Sequence, residues 1–555
     1  MSPTSSSWLR GAALYQIYPL SFLDADGDGY GDLEGVLRGL DHVASLGVDG
    51  VWIGPFYPSP WKDFGYDVAD HRAVHPRLGT LDTVDRLLAA AHARGLKVIL
   101  DLVCGHTSDR HPWFEASRRS RTGPYADWYV WADAAADGTP PNNWLSVFGG
   151  AAWTWEPRRR QYYLHHFLSS QPALNLHDPA CRQAMLDTAA FWLERGSDGF
   201  RIDAVDFFAH DPDLRANPPQ PWTQPEPPLK PFALQRHLHD MMHPSIRTIL
   251  AELRATVDRF PGRVLLGELS SQPGAGGRIA AYTAPGGLDA AYSLSLAKQP
   301  FSAAGFAQAL TGVPDPSAIC WSFSNHDVER AVSRWLPEGA DPARFNALLA
   351  VLFAALPGTV CLYQGEELAL PQAVLAQDQL RDPFGITYWP EFPGRDGSRT
   401  PMPWRAAVPH AGFTGGETPW LPVPEEHRAL AVDRQEGRPG SPLAVWRAAL
   451  ALRRGHDALR TGTVEDVAVR GAVLSFRRRG AGAEVLAAFN LSDRPAEVAL
   501  GEVAPDEMAL NWGGRLTPLA PPGPPGATAA EVSADGRILV LPPLSAFLGF
   551  KRVSG

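Results

Sequence analysis

Apolar and polar positions alternate in blocks along this chain. Short, nearly unbroken apolar runs recur at 15–22, 50–53, 96–103, 199–205, 264–267, 318–323 and 359–363. Between them the pattern takes a helical period. Val84, Leu87, Leu88 and Ala91 recur at i, i+3, i+4 and i+7, behind Thr80 as an N-cap and ahead of Gly95 as a stop. Asp178-Pro179 opens a second helix that ends near Gly196, and GFRIDAV (199–205) follows it as a strand. Strands apolar on both faces belong to a buried parallel sheet, and a βαβα series places helices outside it. Seven or eight such units over roughly 350 residues predict an α/β fold of the closed (β/α)8 TIM-barrel kind. A doubly wound open sheet is the alternative, weakened because no GxGxxG follows the first strand.

Two segments break the series. Residues 105–176 show little regular period but hold Trp113, Trp128, Trp131, Trp144, Trp153 and Trp155. They read as a subdomain inserted after the third strand. From 457 onward, short alternating runs at 473–476, 485–491, 538–541 and 546–550 predict a C-terminal antiparallel β-sandwich. The expected division is therefore 1–104 and 177–456 for the barrel, 105–176 for the inserted subdomain and 457–555 for the sandwich. The Pro-rich stretch 212–232 reads as a stiff surface loop.

Composition narrows the function classes. The 555 residues carry a net charge of -10, which argues against a nucleic-acid partner. Cys104, Cys181, Cys320 and Cys361 are far apart and form no CxxC pair, which disfavours a zinc ribbon or a disulfide framework and fits a reducing compartment. MSPTSSSWLR lacks the basic-then-apolar order of a secretory signal. The apolar run 347–356 is too short for a bilayer and stops at Pro357-Gly358. The expectation is a cytoplasmic protein without a membrane partner, a monomer or small homo-oligomer.

The chemistry is carried by strand ends. In GFRIDAV, Arg201 and Asp203 share one face while Phe200 and Ile202 share the other. A charged pair in a buried strand is costly unless its face opens to a solvated cleft, which in a barrel lies at the strands' C-terminal ends. Arg201 is expected to lower the pKa of Asp203 and keep it ionised. A purely structural ion pair is the plainer alternative. Glu268 closes the run VLLGE, and His326 and Asp327 lie just beyond CWSF. Carboxyls of unequal pKa are what glycosidic bond cleavage requires. One attacks the anomeric carbon, a second gives its proton to the leaving oxygen, and a third can hold ring hydroxyls as charge develops.

With DLVCGHTS (101–108), QPALN (171–175), GFRIDAV (199–205), GE (267–268) and SNHD (324–327) in this order and spacing, the chain resembles an α-glucosidase of the α-amylase superfamily, glycoside hydrolase family 13. GRDGSRTPMPW (394–404) is similar to the α-glucosidase branch. The resemblance implies Asp203 as nucleophile, Glu268 as acid/base and Asp327 as transition-state stabiliser, with retention through a covalent glucosyl-enzyme. It implies sugar contacts from Asp63, Tyr66, His106, Arg201, His326 and Arg395, with Arg399 as the alternative arginine. Asp63 and Arg395 would grip the terminal glucose and make the enzyme exo-acting on short sugars. Phe148, Phe167 and Gln171 are candidate pocket walls, although core filling is the plainer role for an aromatic in 105–176.

The chain departs from the common pattern at Cys104-Gly105, where many relatives carry Val-Asn, and at Ala173, where many carry Asp. Ala204 resembles the residue of enzymes that prefer α-1,4 links; simple packing is its plainer reading. The same intermediate would serve a transglucosylase or an isomerase such as a sucrose isomerase or trehalose synthase. Transporter heavy chains resemble this fold as binding partners, but they carry a membrane helix and have lost catalytic acids that this chain keeps.

The stretch DADGDGYGDLEG (24–35) places carboxylates at Asp24, Asp26, Asp28 and Asp32. An EF-hand needs Glu at its twelfth position, where this loop has Gly35, and a helix rather than a strand before it. The loop is not an EF-hand. Four crowded carboxylates repel without a cation, and the resemblance implies a structural Ca²⁺ or Mg²⁺ held by Asp24, Asp26, Asp28, Asp32 and the Tyr30 carbonyl. A hydrated acidic turn without metal is the alternative. No organic cofactor is expected, and no histidine group, His165-His166 included, has transition-metal spacing.

Overall fold

The apolar runs pair edge to edge into a closed ring. The computed structural model describes residues 8–223, 225–226, 228–500, 509–510, 517–519, 529–533 and 537–552. Residues 1–7, and with them most of the stretch read against a secretory signal, lie outside that set, as do parts of the 212–232 loop and the expected 457–555 unit. The ring consists of β1 (Ala13–Ile17), β2 (Gly50–Ile53), β3 (Lys97–Leu102), β4 (Gly199–Ile202), β5 (Val264–Leu269), β6 (Ala290–Ser293), β7 (Ile319–Trp321) and β8 (Thr359–Tyr363). Each strand runs parallel to the next, and β8 pairs with β1 to close the barrel. The eighth strand absent from the sequence pattern is β6. Its AAYS carries no branched residue, so only its neighbours identify it as a strand. The first and sixth runs overreach: a tight helical turn, Pro19–Ser21, follows β1, and another, Pro316–Ala318, precedes β7.

Alternation sorts the strand side chains. Leu14, Trp52, Ile99, Leu266, Tyr292 and Cys320 pack into one cluster inside the barrel. Phe200, Ile202 and Leu265 join the larger cluster beneath the helices. Gly199, at φ 142°, opens β4 where a Cβ would sit 2.1 Å from the Val264 carbonyl oxygen of β5. Only glycine lets these two strands lie side by side there.

Caps set where helices begin. Thr80 accepts the Thr83 N–H at the start of the helix Leu81–Ala93, and Asp178 accepts the Cys181 N–H at the start of Pro179–Glu194. The helix Pro342–Ala355 contains the apolar run 347–356 up to its last residue, Leu356, which caps the helix, and every residue from Phe345 to Ala355 is buried. It packs on the helix Pro442–Arg454 and on the C-terminal sheet. Burial from all sides, not lipid, accounts for its apolarity. Among the described residues no helix is long and apolar enough to cross a membrane.

Between β3 and β4 the chain forms a three-stranded antiparallel sheet of Trp131–Ala132, Gln161–Leu164 and Trp153–Glu156. Trp144 and Trp153 stack at 5.8 Å in its small core with Val130, Leu164 and Ala173. Beyond Thr463 the chain builds a five-stranded and a four-stranded sheet. Leu486, Ala488, Val498, Leu539 and Phe547 fill the space between them. The other face of the five-stranded sheet, with Leu474, Val485, Ala487 and Leu548, joins the main core of the barrel.

Two buried arginines join these units. Arg453 donates to the carbonyls of Ala354 at 2.9 Å, Leu356 at 2.6 Å and Leu459 at 3.1 Å, and also to Gly358. Arg478 of the sandwich donates to the Ala355 carbonyl at 2.6 Å. Both cations sit at the C-terminal end of the helix Pro342–Ala355, where its last carbonyls lack partners and its dipole favours positive charge. Arg453→Met keeps the side-chain length and strips these donors. We expect it to cost at least ~3 kcal/mol, read as a lower thermal midpoint by circular dichroism. An unchanged midpoint would show that the carbonyls find other partners.

Candidate active site

The register of β3 and β4 sets Asp101 directly beside Arg201. Both side chains point into the barrel, and both are buried. Arg201 Nη1 donates to Asp101 Oδ1 at 2.8 Å and to Asp203 Oδ1 at 2.6 Å, while Nη2 reaches Glu268 Oε2 at 2.6 Å. Its guanidinium lies over Trp52 at 4.9 Å and Tyr66 at 5.7 Å. The second oxygen of Asp101 accepts Trp52 Nε1 at 3.1 Å and the Tyr66 hydroxyl at 3.0 Å. Charges this deep are tolerable because they pair with one another and with Trp52 and Tyr66, although Arg201 Nε is left without a partner.

Asp203 follows β4, its N–H still donating to the Leu102 carbonyl at 3.1 Å. Ala204 then takes a left-handed conformation, φ 49° and ψ 47°, and turns the chain off the strand. That turn aims the Ala204 N–H at Glu268 Oε2, 3.1 Å away. Asp203 and Glu268 thus hang from the two terminal nitrogens of one guanidinium.

Their protonation differs from the sequence expectation. Burial pushes Asp203 up to about 7, and Arg201 only partly offsets it while Asp101 and Asp327 push further up. Arg201 fails to hold Asp203 low because its single charge is divided among three carboxyls. Burial likewise pushes Glu268 up to about 7, against the pull of Arg201. Two adjacent acids that both titrate near neutrality share a proton: one is ionised while its neighbour is protonated.

Asp327 is the opposite case. Burial raises it, but His326, Arg395 and Arg399 outweigh burial and hold it well below the usual carboxylate range. Arg399 Nη2 lies 2.7 Å and Arg395 Nη1 3.2 Å from Asp327 Oδ1. His326 is stacked between Tyr18 at 5.4 Å and Tyr66 at 5.3 Å. Gln16 Nε2 donates to its Nδ1 at 2.7 Å, which leaves the proton on Nε2, 3.3 Å from Asp327 Oδ2. Burial lowers His326 to about 3, so near neutral pH the ring is uncharged and the two arginines alone supply the positive charge that keeps Asp327 ionised.

The arginine alternatives separate by exposure. Arg399 is fully buried and donates Nε to the His326 carbonyl at 2.7 Å, so it braces Asp327 from behind. Arg395 keeps some exposure and bridges three acids: Asp63 at 2.8 Å, Asp382 at 2.7 Å and Asp327 at 3.2 Å. Gln171 Nε2 donates to Asp63 Oδ2 at 2.9 Å, and His106 Nε2 meets the Tyr66 carbonyl at 3.0 Å. Asp63, Gln171, His106 and Tyr66 close one end of the site. Phe167 stands beside His106 at 5.2 Å, and Phe148 lies beneath Arg395 at 5.1 Å. Every proposed acid and sugar-contacting residue therefore joins one connected network.

Sequence reasoning missed Asp101 and Asp382, the partners that anchor Arg201 and Arg395. Asp101 stands within the quoted DLVCGHTS, and its signal was a charge inside a β-strand otherwise apolar. Asp382 gives none, since it is an ordinary N-cap two residues before Phe384. It also missed Phe384, which packs on Phe148 at 4.8 Å. Ala173 fills the core of the inserted subdomain.

The acidic loop lies apart from these residues. Ligand oxygens of Asp24, Asp26 and Asp28 lie within 4.8 Å of one another. Asp24 already accepts the Gly27 N–H at 2.7 Å and the Gly29 N–H at 2.8 Å, which shapes the loop. The oxygens of Asp32 accept Gly35 N–H at 2.6 Å and Ala25 N–H at 2.8 Å, capping the helix Leu33–Ser45 beside this cluster. Hard, converging oxygens at this spacing fit a Ca²⁺- or Mg²⁺-sized ion.

Known proteins match this chain in sequence and fold. The family described as α-amylase, catalytic domain, matches residues 16–462. A probable α-glucosidase of Rhizobium meliloti (strain 1021) is 48% identical over 518 residues, covering 89% of this chain and 93% of its own. An oligo-1,6-glucosidase of Heyndrickxia coagulans is 34% identical over 543 residues, covering 91% of this chain and 95% of its own. The crystal structure of an α-glucosyl transfer enzyme, XgtA, superposes with a TM-score of 0.92 at 47% identity, covering 99% of this chain and 100% of its own. The chain belongs to the α-amylase catalytic-domain family, the glycoside hydrolases of family 13.

Proposed function

We propose that this glycoside hydrolase is an exo-acting, retaining α-glucosidase that releases glucose from the non-reducing end of short gluco-oligosaccharides. One observation carries the reading: Arg201 holds Asp203 and Glu268 on adjacent nitrogens while Arg395 and Arg399 hold an ionised Asp327 beside them. Acids that share one guanidinium favour the closer of the two glycosidase spacings, about 5–5.5 Å, which accompanies retention. Asp203 attacks the anomeric carbon, and Glu268 gives its proton to the leaving oxygen. Water deprotonated by the same Glu268 then releases glucose. Asp327 stays ionised throughout and steadies the ring as positive charge develops. The closed end built by Asp63, Arg395 and Gln171 supports exo action, since no chain can pass it. The short Ala204 after Asp203 supports α-1,4 preference. A second reading, transfer of glucose to a sugar hydroxyl, is favoured by the 47% identity to the α-glucosyl transfer enzyme.

The loop cluster of Asp24, Asp26 and Asp28 supports a structural cation that pins the turn after β1, with no part in the chemistry. All four cysteines are buried and free, which supports a reducing, cytoplasmic location.

Asp203→Asn should lower kcat on maltose at least about 10⁴-fold with the fold unchanged by circular dichroism. Wild type should release α-glucose first, read by NMR, and sugar-linked products rising with maltose concentration would mark the transfer reading. Unimpaired hydrolysis by Asp203→Asn would sink the assignment. For wild type, kcat/KM should peak near pH 7. It falls on the acid side as Asp203 becomes protonated and on the alkaline side as Glu268 loses its proton. Glu268→Gln should still form the glucosyl-enzyme from α-glucosyl fluoride, whose leaving group needs no proton, giving a fluoride burst followed by slow turnover, while losing maltose hydrolysis. Finally, added Ca²⁺ or Mg²⁺ should raise the melting temperature of the chelator-treated protein, and Asp26→Asn should remove that response.

A further inference from the structure

The chain uses arginine for nearly every cation: only five of its 50 basic residues are lysines, at 62, 97, 230, 298 and 551. Lys62 pairs with Asp109 at 3.4 Å and Lys97 with Asp198 at 3.0 Å. Lys230 and Lys298 are different. Among the described residues neither has an ion-pair partner, and the charge of Lys298 acts on Lys230. Lys230 Nζ lies 3.8 Å from the centre of the Phe384 ring and 4.6 Å from that of Phe392. Phe384 packs on Phe148 at 4.8 Å, which in turn lies under Arg395. Lys298, on the turn after β6, donates to Ser271 Oγ at 2.7 Å, just beyond Glu268 on β5.

Burial lowers both ammonium groups. For Lys230, Lys298 and Arg395 add to that effect and Asp382 and Asp327 oppose it; for Lys298, Glu268 and Asp327 oppose it. These are the charged groups that face the two lysines, and all belong to the site or its rim. The end of the pocket that grips glucose is closed by Asp63 and Gln171. Lys298 lies on the side of Glu268, the proton donor that faces the leaving group, and Lys230 stands across from it, beside Phe384 and within reach of the charges of Asp382 and Arg395.

We propose that Lys230 and Lys298 bind an anionic group, a phosphate or a carboxylate, carried by the leaving group or by the acceptor of the glucosyl unit. Two neighbouring ammonium groups, Lys230 half-buried against phenylalanine rings and Lys298 exposed at the rim, repel each other and gain from a shared anion. The Phe384 ring supplies an apolar wall for the C–H face of the sugar or polyol that bears it. The proposal rests on the α-glucosidase reading above.

The test compares kcat/KM for four α-1,4-glucosides that differ only in the leaving group: maltitol, maltobionate, maltose, and maltose phosphorylated at O6 of the reducing glucose. In wild type at least one anionic substrate should exceed its neutral counterpart by about tenfold, an advantage that shrinks with added salt. The two arms tell carboxylate from phosphate. Lys230→Gln and Lys298→Gln should each lower that ratio, and the double variant should bring it to about one. Because each ratio is taken within a single preparation, partial misfolding cancels. A wild-type ratio at or below one for both pairs, or a ratio unchanged in the double variant, overturns the proposal. Cleavage of the neutral substrates without anionic preference leaves the α-glucosidase reading standing, whereas cleavage of none of the four overturns both.

Discussion

One guanidinium, that of Arg201, organises the mouth of this barrel. It carries a single positive charge and meets three carboxyls, Asp101, Asp203 and Glu268. A buried charge needs partners in good geometry, and the flat fork of arginine supplies several at fixed angles. That constraint places two acids on neighbouring nitrogens. It also leaves them short of compensating charge, so burial lifts both toward neutrality. An active site for glycosidic cleavage needs one ionised and one protonated carboxyl at working pH, and a charge divided among three acids produces that state.

A second arginine arrangement does the reverse. Arg395 and Arg399 converge on Asp327 and hold it ionised. Arg395 also binds Asp63 and Asp382, so the residues that grip the terminal sugar are tied to the acid that steadies its charge. Neighbouring carboxyls with opposite protonation tendencies thus arise from unequal shares of positive charge, with burial common to all.

The remainder of the chain keeps these side chains still. The αL turn at Ala204 directs an N–H at Glu268, and Gly199 lets β4 approach β5 closely enough for Asp203 and Glu268 to be neighbours. Away from the mouth, Arg453 binds the end of the helix Pro342–Ala355 to the helix Pro442–Arg454, and Arg478 binds it to the five-stranded C-terminal sheet. These contacts are backbone carbonyls held by buried cations, which makes the junction stiff rather than hinged.

Much of this was legible in the chain itself. Period alone identified seven of eight strands, because a buried strand needs apolar side chains on both faces. Helix starts were written as Thr80 and Asp178, since a cap acts within three residues. The three acids were visible as charges at the ends of apolar runs. Strand β6 was not, because Ala-Ala-Tyr-Ser takes its conformation from pairing with β5 and β7. The protonation of Asp203 was misjudged for a related reason. From sequence, Arg201 has one neighbour two positions away; in space it has three carboxyls drawn from three strands. Local order determines faces, caps and turns through interactions a few residues long. How one charge is divided among distant acids, and which arginine reaches the sugar, depends on separations that only the closed barrel creates.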